Sequence, residues 1–233
     1  MPASLTMPQH LHTLEVNGFM AHFTHALCRL APKHDNIRTV YIPSIFIGQA
    51  AGIARFMQWC GSAVEEISLD FPDPRTRRDD SELQEAPFCD AGGLKDNTSL
   101  RVINLIGAPS GLLSILRQVS SEVVEQVSIN TAPGALSDLD FDGLAALFSR
   151  GVFASAKLRI LGSDIPVQPL IEMRDEVYDK LSALREQGRL VFERAGGYAM
   201  DPSTPPVNEA KWGPPFVVND MLLDHYHPGS STS

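Results

Sequence analysis

The sequence predicts an α/β fold in which a curved parallel sheet is backed by helices, in the manner of a repeat solenoid. Two patterns support this fold class: a strand-like motif recurs along the chain, and segments with helical apolar spacing lie between its copies. The chain has 233 residues, of which 43% are hydrophobic and 20% are charged. It can therefore bury a continuous core, and we expect most of it to be folded.

The strand-like motif has the form apolar-x-x-apolar-x-apolar. Its clear copies are Leu11, Leu14 and Val16; Ile37, Val40 and Ile42; Val64, Ile67 and Leu69; Leu100, Ile103 and Leu105; and Val124, Val127 and Ile129. Weaker copies are Leu158 with Ile160, and Leu190 with Phe192. The middle residues of the clear copies are 26, 27, 36 and 24 residues apart. Most of these intervals match the roughly 20–29 residues of a leucine-rich repeat, so we predict a leucine-rich-repeat-like solenoid.

Polar residues occupy alternate positions in the predicted strands, as in Glu66, Ser68 and Asp70. Because side chains alternate between the two faces of a strand, one sheet face should be apolar and the other polar. A doubly wound α/β domain also alternates strands and helices, but its strands are usually continuous apolar runs. Short apolar motifs also arise by chance, so the doubly wound fold stays open as an alternative.

Helical apolar spacing appears in segments 23–30, 53–60, 112–119, 144–148 and 177–184. We predict that Ser110 and Asp142 are helix N-caps and that Gly188 is a left-handed C-cap. The acidic run at 138–143 matches the start of a calcium-binding loop, but Ser149 stands where the bidentate glutamate is needed. Helix capping is therefore the preferred interpretation of this run.

Three regions are predicted along the chain. They are a flexible N-terminus at 1–10, a repeat array at 11–194 and a Pro/Ser-rich C-terminal tail at 195–233. The longest interval between motifs contains residues 70–90, with three prolines and ten charged residues. This composition indicates an inserted surface loop within the array.

The charge balance argues against nucleic acid as a partner. Lys and Arg total 19 against 28 Asp and Glu, which gives a net charge of −9, whereas binding to phosphates needs a basic surface. No apolar stretch is long enough to cross a bilayer, and no secretory signal pattern is present, so we expect no membrane partner.

Cysteine usage points to a reducing compartment. Cys28, Cys60 and Cys89 form an odd, widely spaced set, and we therefore expect an intracellular protein, cytoplasmic or nuclear. Cys28 and Cys60 lie in apolar helical segments and are predicted to be small core residues. The sequence nominates no catalytic residue, no cofactor-binding residue and no metal ligand, so we expect no enzyme activity and no cofactor.

Two segments carry a family resemblance. Residues 61–70 (GSAVEEISLD) and 96–105 (DNTSLRVINL) resemble repeat units of the F-box/leucine-rich-repeat-like proteins that are numerous in mushroom-forming fungi. The resemblance covers roughly His10 to Arg194. In such proteins an N-terminal F-box docks on the adaptor of a cullin-based ubiquitin ligase, and the repeats capture the substrate. Leu11 already belongs to a predicted strand, so we expect that the chain resembles only the C-terminal repeat portion, without the F-box.

The resemblance implies a protein-binding repeat module that serves as the substrate-recognition part of an F-box-type ubiquitin ligase receptor. A leucine-rich-repeat scaffold with no ubiquitin ligase role is the alternative, and an unrecognised α/β enzyme is the third possibility. The implied partner is a protein substrate. The ligase adaptor would bind only if an F-box is present upstream.

The partner is predicted to bind the concave face of the sheet, formed by the residues that flank the buried motif positions. Tyr41 is the predicted anchor, because aromatic residues are enriched among binding hot spots. The first strands supply acidic groups and the middle ones amides and hydroxyls, which favours a basic or hydrogen-bonding partner segment. The predicted face consists of Thr13, Glu15, Thr39, Tyr41, Glu66, Ser68, Asp70, Asn104, Gln126, Ser128, Asn130 and Arg159.

Overall fold

A computed structural model describes residues 10–16, 28, 35–43, 45, 48–71, 85–107, 111–162, 167–194 and 198–199. The strands are β1 Thr13–Glu15, β2 Thr39–Ile42, β3 Glu66–Asp70, β4 Val102–Ile106, β5 Gln126–Thr131, β6 Lys157–Gly162, β7 Leu190–Arg194 and β8 Tyr198–Ala199. The helices are α1 Ala50–Cys60, α2 Glu85–Asp90, α3 Leu112–Leu116, α4 Pro133–Leu136, α5 Phe141–Phe148, α6 Val167–Lys180 and α7 Ser182–Glu186. Some predictions fall outside the described residues. They are the cap at Ser110, most of the first helical segment, and nearly all of the N-terminus and C-terminal tail.

The eight strands in the described residues form one sheet, and each strand pairs with the next one along the chain. The first seven strands are parallel, and β8 runs antiparallel to β7. Crossovers between parallel strands are almost always right-handed, so strands in sequential order keep their connecting helices on the same face. The predicted α/β class, with a parallel sheet backed by helices, is therefore confirmed.

The middle residues of the motif copies form one continuous row across the sheet. Leu14 lies beside Val40, and the register continues through Ile67, Ile103 and Val127. The last four of these side chains are fully buried in the core cluster, together with the buried residues of the helices. The prediction of these strands, and of the side chains that face the core, is thus confirmed. The strands pair in this register because the period-2 pattern of each strand agrees with that of its neighbours.

Side chains that come later in the chain donate hydrogen bonds to carbonyls at the C-terminal ends of earlier helices. Asn97 Nδ2 donates hydrogen bonds to the carbonyls of Met57 (2.9 Å) and Gly61 (2.8 Å), at the C-terminal end of α1. Arg189 Nη2 donates to the carbonyl of Phe148 (3.1 Å), the last residue of α5. Helix C-termini leave carbonyls without intrahelical partners, so these contacts tie neighbouring units together.

One of the predicted helix caps is wrong and one is confirmed. Asp140, rather than Asp142, is the N-cap of α5, since its Oδ1 accepts a hydrogen bond from the Gly143 backbone N–H at 2.8 Å. Asp142 lies in the first turn, where its carboxylate is favourably placed near the positive end of the helix dipole. Gly188 adopts the expected left-handed conformation, with φ of 66°.

The segment predicted as an inserted loop ends in helix α2. Phe88 of this helix is fully buried and meets Phe71 edge-on, with 5.5 Å between the ring centroids. Pro87 is the third residue of the helix, where a missing backbone N–H removes no intrahelical bond. The described end of this segment is therefore a short helix anchored by one aromatic side chain, and residues 72–84 lie outside the described part of the chain.

An alternating row of charges lies just before strands β2 to β5. Arg38, Glu65, Arg101 and Glu125 follow one another across the sheet, since each backbone N–H after the first donates to the carbonyl of the preceding member. Arg38 Nη1 lies 3.0 Å from Glu65 Oε1, and Arg101 Nε lies 3.1 Å from Glu125 Oε1. The hydrogen bond and charge of Glu125 raise the pKa of Arg101, and Glu65 on the other side adds to this effect. We call these four residues the charge row.

Of the two cysteines predicted to be core residues, Cys60 is one and Cys28 only borders the core. Cys60 is fully buried in the core, and Cys28 is partly buried against it. None of the helices in the described part of the chain combines the length and the apolar character that crossing a bilayer requires.

Candidate binding face

The side chains that alternate with the buried motif residues share the second face of the sheet. We call this surface the polar face. In strand order, its first row is Thr13, Thr39, Glu66, Val102, Gln126 and Lys157, and its second row is Glu15, Tyr41, Ser68, Asn104, Ser128, Arg159 and Val191. A third row, nearer the carboxyl ends of the strands, is Asp70, Ile106, Asn130, Leu161 and Glu193. The structure therefore brings all twelve predicted residues onto one face.

Six further residues belong to this face and were not predicted from the sequence. They are Val102, Ile106, Lys157, Leu161, Val191 and Glu193. The signal that would have found them is the same alternation, applied to apolar residues and to the weaker motif copies. Four of the six are apolar, so the face is less polar than the twelve predicted residues alone would make it.

Ser128 is an exception among the predicted residues, because only 2% of its surface is exposed. It lies between Asn104 and Arg159 in the second row, and Gln126 Nε2 donates a hydrogen bond to its Oγ at 3.1 Å. Its larger neighbours cover this short side chain. Ser128 therefore organises the face and offers little surface to a partner.

Tyr41 lies among acidic groups at one end of the polar face. Its register partner on β1 is Glu15, and Asp70 lies on β3, the strand on its other side. Burial raises the pKa of the Tyr41 hydroxyl, and the charges of Glu15 and Asp70 raise it further. An aromatic ring beside two carboxylates forms an environment that favours a cation over an anion.

Glu66 is the third acidic residue at this end. It stands between Thr39 and Val102 in the first row and is half-buried. Partial burial raises the pKa of its carboxyl group, because removal of water disfavours the charged form. A cationic group from a partner would relieve this cost.

An ion pair occupies the opposite end of the face. Arg159 Nη2 donates a hydrogen bond to Glu193 Oε2 across strands β6 and β7. Only 4% of the Glu193 side chain is exposed, against 21% of Arg159. The pair fixes the position of both side chains and leaves exposed Lys157 as a second basic group on β6.

Hydrogen bonding and charge recognition are the chemistry that the face offers. Within the described ranges, no group of three or more His, Cys, Asp or Glu residues is arranged to hold a metal ion. The amides, hydroxyls and carboxylates instead form a grid at the spacing of the strands, about 4.8 Å. Such a grid is suited to non-covalent binding of another chain.

No protein-family model matches the sequence, and neither a curated protein nor a solved structure does.

Proposed function

We propose that this chain is a leucine-rich-repeat-like solenoid that binds another protein on its polar face. One observation carries the proposal: seven parallel strands in sequential order place the corresponding side chains of successive units in registered rows on one face. A β/α unit of this size cannot bury its own apolar surface, whereas stacked units share a continuous core and leave an extended surface for binding.

The polar face supplies the contacts that a protein partner needs. Tyr41 combines apolar area with a polar hydroxyl, and Asn104 carries both hydrogen-bond donors and an acceptor. Val102 and Ile106 add half-buried apolar surface at the centre. A centre with apolar contacts surrounded by polar and charged groups has the composition of known protein interfaces.

The test is affinity capture with matched variants. Tyr41, Glu66 and Asn104 are replaced with alanine together, and the proteins retained from a cell extract are compared with those retained by the unaltered chain. The control replaces Ser62, Ser114 and Glu176, which are exposed, lie outside the sheet and include one carboxylate, as does the test set. We expect specific proteins to be lost from the polar-face variant and kept by the control.

Thermal unfolding of both variants separates lost binding from lost folding. A polar-face variant with an unchanged melting curve and unchanged capture would remove this face as the binding site. Lost capture with an unchanged melting curve would support it.

The resemblance to F-box/leucine-rich-repeat-like proteins supports a narrower version of this proposal, in which the bound protein is a substrate for ubiquitination. The alternative is a binding scaffold with no ligase role. Recovery of a cullin and its adaptor among the captured proteins would favour the ligase version. Because the adaptor binds through an F-box and the resemblance covers only the repeat portion, capture of partners without them is expected under either version.

A further inference from the structure

Charge is distributed unevenly across the polar face. Its described positions on β1 to β3 include three carboxylates, Glu15, Glu66 and Asp70, and no basic side chain. The positions on β4 and β5 are uncharged. Lys157 and Arg159 follow on β6. The face therefore changes from acidic to neutral to basic along the strand order.

The ion pair between β6 and β7 leaves Lys157 as the uncompensated charge at this end of the face. Glu193 compensates the charge of Arg159, and both side chains are largely removed from water. Lys157 is exposed at the start of β6, so it gives this end a net positive charge. A partner that crosses the strands thus meets opposite charges at the two ends of one surface.

The distance between the two ends suits a short stretch of extended chain. Three strand spacings separate β3 from β6, which is about 14 Å. About four residues of extended polypeptide cover this distance. The two charged ends can therefore contact side chains of a single short segment.

The neutral centre presents groups that match a peptide backbone. Asn104, Gln126 and Asn130 carry amides, and each amide contains both hydrogen-bond donors and an acceptor. Asn104 and Asn130 are only partly buried and lie in adjacent rows. Backbone N–H and C=O groups need both kinds of hydrogen-bond partner, so an extended segment is favoured over a ligand with acceptors only.

We propose that the ligand of the polar face is an extended peptide segment of a partner protein, oriented across the strands by charge. Its Lys or Arg residues lie over β1 to β3, where Tyr41 and the carboxylates stand, and an Asp or Glu lies beside Lys157. This proposal rests on the proposed function, since it specifies the ligand of the same face. A second copy of the chain is disfavoured, because its net charge of −9 opposes self-association.

The experiment uses a random library of short peptides displayed on phage and selected on the full chain. We expect the selected peptides to carry Lys or Arg in one half and Asp or Glu in the other. Selection on Lys157→Glu should replace the acidic preference with a basic one. Lys95→Glu is the matched control, because Lys95 is exposed, lies outside the strands and undergoes the same charge change.

A representative selected peptide then gives a quantitative measure. In fluorescence anisotropy its Kd should rise roughly two- to fivefold for Lys157→Glu, the range expected for one exposed charge pair. A peptide with its acidic residue changed to Lys should bind Lys157→Glu better than it binds the unaltered chain. Lys95→Glu should change neither value.

Other results would overturn the proposal. Peptides without a charge asymmetry, or with one that Lys157→Glu leaves unchanged, would show that charge does not orient the ligand. Failure to select any peptide that depends on Tyr41, Glu66 and Asn104 would show that the ligand is not an extended segment. A dimer in sedimentation velocity that Lys157→Glu dissociates would assign the face to a second copy. Failure of the proposed function is distinguishable, because it is measured by capture of intact proteins.

Discussion

Arg159 and Glu193 form an ion pair between adjacent strands on the sheet face that lies opposite the core, yet the carboxylate is almost completely removed from water. A buried charge is costly unless its partner remains in place, because its attraction to that partner replaces its lost hydration. The two residues are therefore interdependent, and the first prediction follows from this dependence.

Arg159→Ala should destabilise the chain by about 3 kcal/mol, because Glu193 is left buried without its cation. Glu193→Ala should cost less, since Arg159 is more exposed and can turn toward solvent. The double change Arg159→Met with Glu193→Leu should recover most of the loss. Urea unfolding measures all three, and equal losses for the two single changes would contradict this account. Arg38→Ala, at an exposed pair, serves as a control with a loss below about 1 kcal/mol.

Asn97→Ala should destabilise the chain by about 1–2 kcal/mol, because the C-terminal end of α1 loses two side-chain hydrogen bonds inside the core. Asn97→Asp should be worse, since it removes the donors and places a carboxylate beside two carbonyl oxygens. Thermal unfolding, monitored by circular dichroism, gives the order of stabilities of the three proteins. An aspartate variant as stable as the unaltered chain would contradict the described orientation of the amide.

Gly93→Ala should destabilise the chain by about 1–3 kcal/mol, because the added methyl group overpacks the core. A Cβ atom at this position would lie 2.2 Å from Cε1 of Phe88, whose ring is fully buried. Gly134→Ala is the matched control, because a Cβ atom there meets nothing within 4 Å and the residue lies in helix α4. Denaturant midpoints should fall for the first variant and stay level or rise slightly for the second. Equal effects would contradict the packing around Phe88.

Glu66→Gln should stabilise the chain at neutral pH and have little effect in acid. Burial raises the pKa of Glu66 above its ordinary value, so the folded state binds the proton more tightly than the unfolded state does. The carboxylate therefore disfavours folding above the folded-state pKa, and this cost disappears as the pH falls below the unfolded value. Because half of the group remains near solvent, the gain should stay below about 1 kcal/mol.

The measurement is the difference in Tm between Glu66→Gln and the unaltered chain from pH 3.5 to pH 8. The difference should be positive at pH 7 and shrink toward acid pH. Glu176→Gln, at an exposed position outside the sheet, serves as the control. A difference that grows toward acid pH would have the wrong sign for a carboxyl group with a raised pKa.

The strands were predictable because each one carries its own period-2 pattern and the copies repeat at similar intervals. Val40 and Ile67 occupy equivalent motif positions and are direct neighbours in the sheet. The helix start at Phe141 was less predictable, since both Asp140 and Asp142 have side chains that can cap. The structure decides between them because only Asp140 has the non-helical backbone conformation of a cap residue.

The side-chain contacts between neighbouring β/α units could not be predicted from the local sequence. Arg189 reaches the carbonyl of Phe148 across 41 positions of sequence, and nothing near either residue in the sequence indicates this contact. The Arg159–Glu193 pair was likewise missed, because Glu193 lies in a weak motif copy and its partner is on the preceding strand. Alternation predicts which face a side chain occupies, whereas pairing depends on the register between strands.

The charge row also limits which strands of the sheet, with their helices, can be removed. Loss of the unit that carries Glu65 would bring Arg38 beside Arg101, whereas loss of two consecutive units would bring Arg38 beside Glu125 and keep opposite charges adjacent. Like charges placed directly opposite one another on neighbouring strands are destabilising. We therefore expect natural or engineered deletions in this part of the chain to be tolerated better in pairs of units than singly.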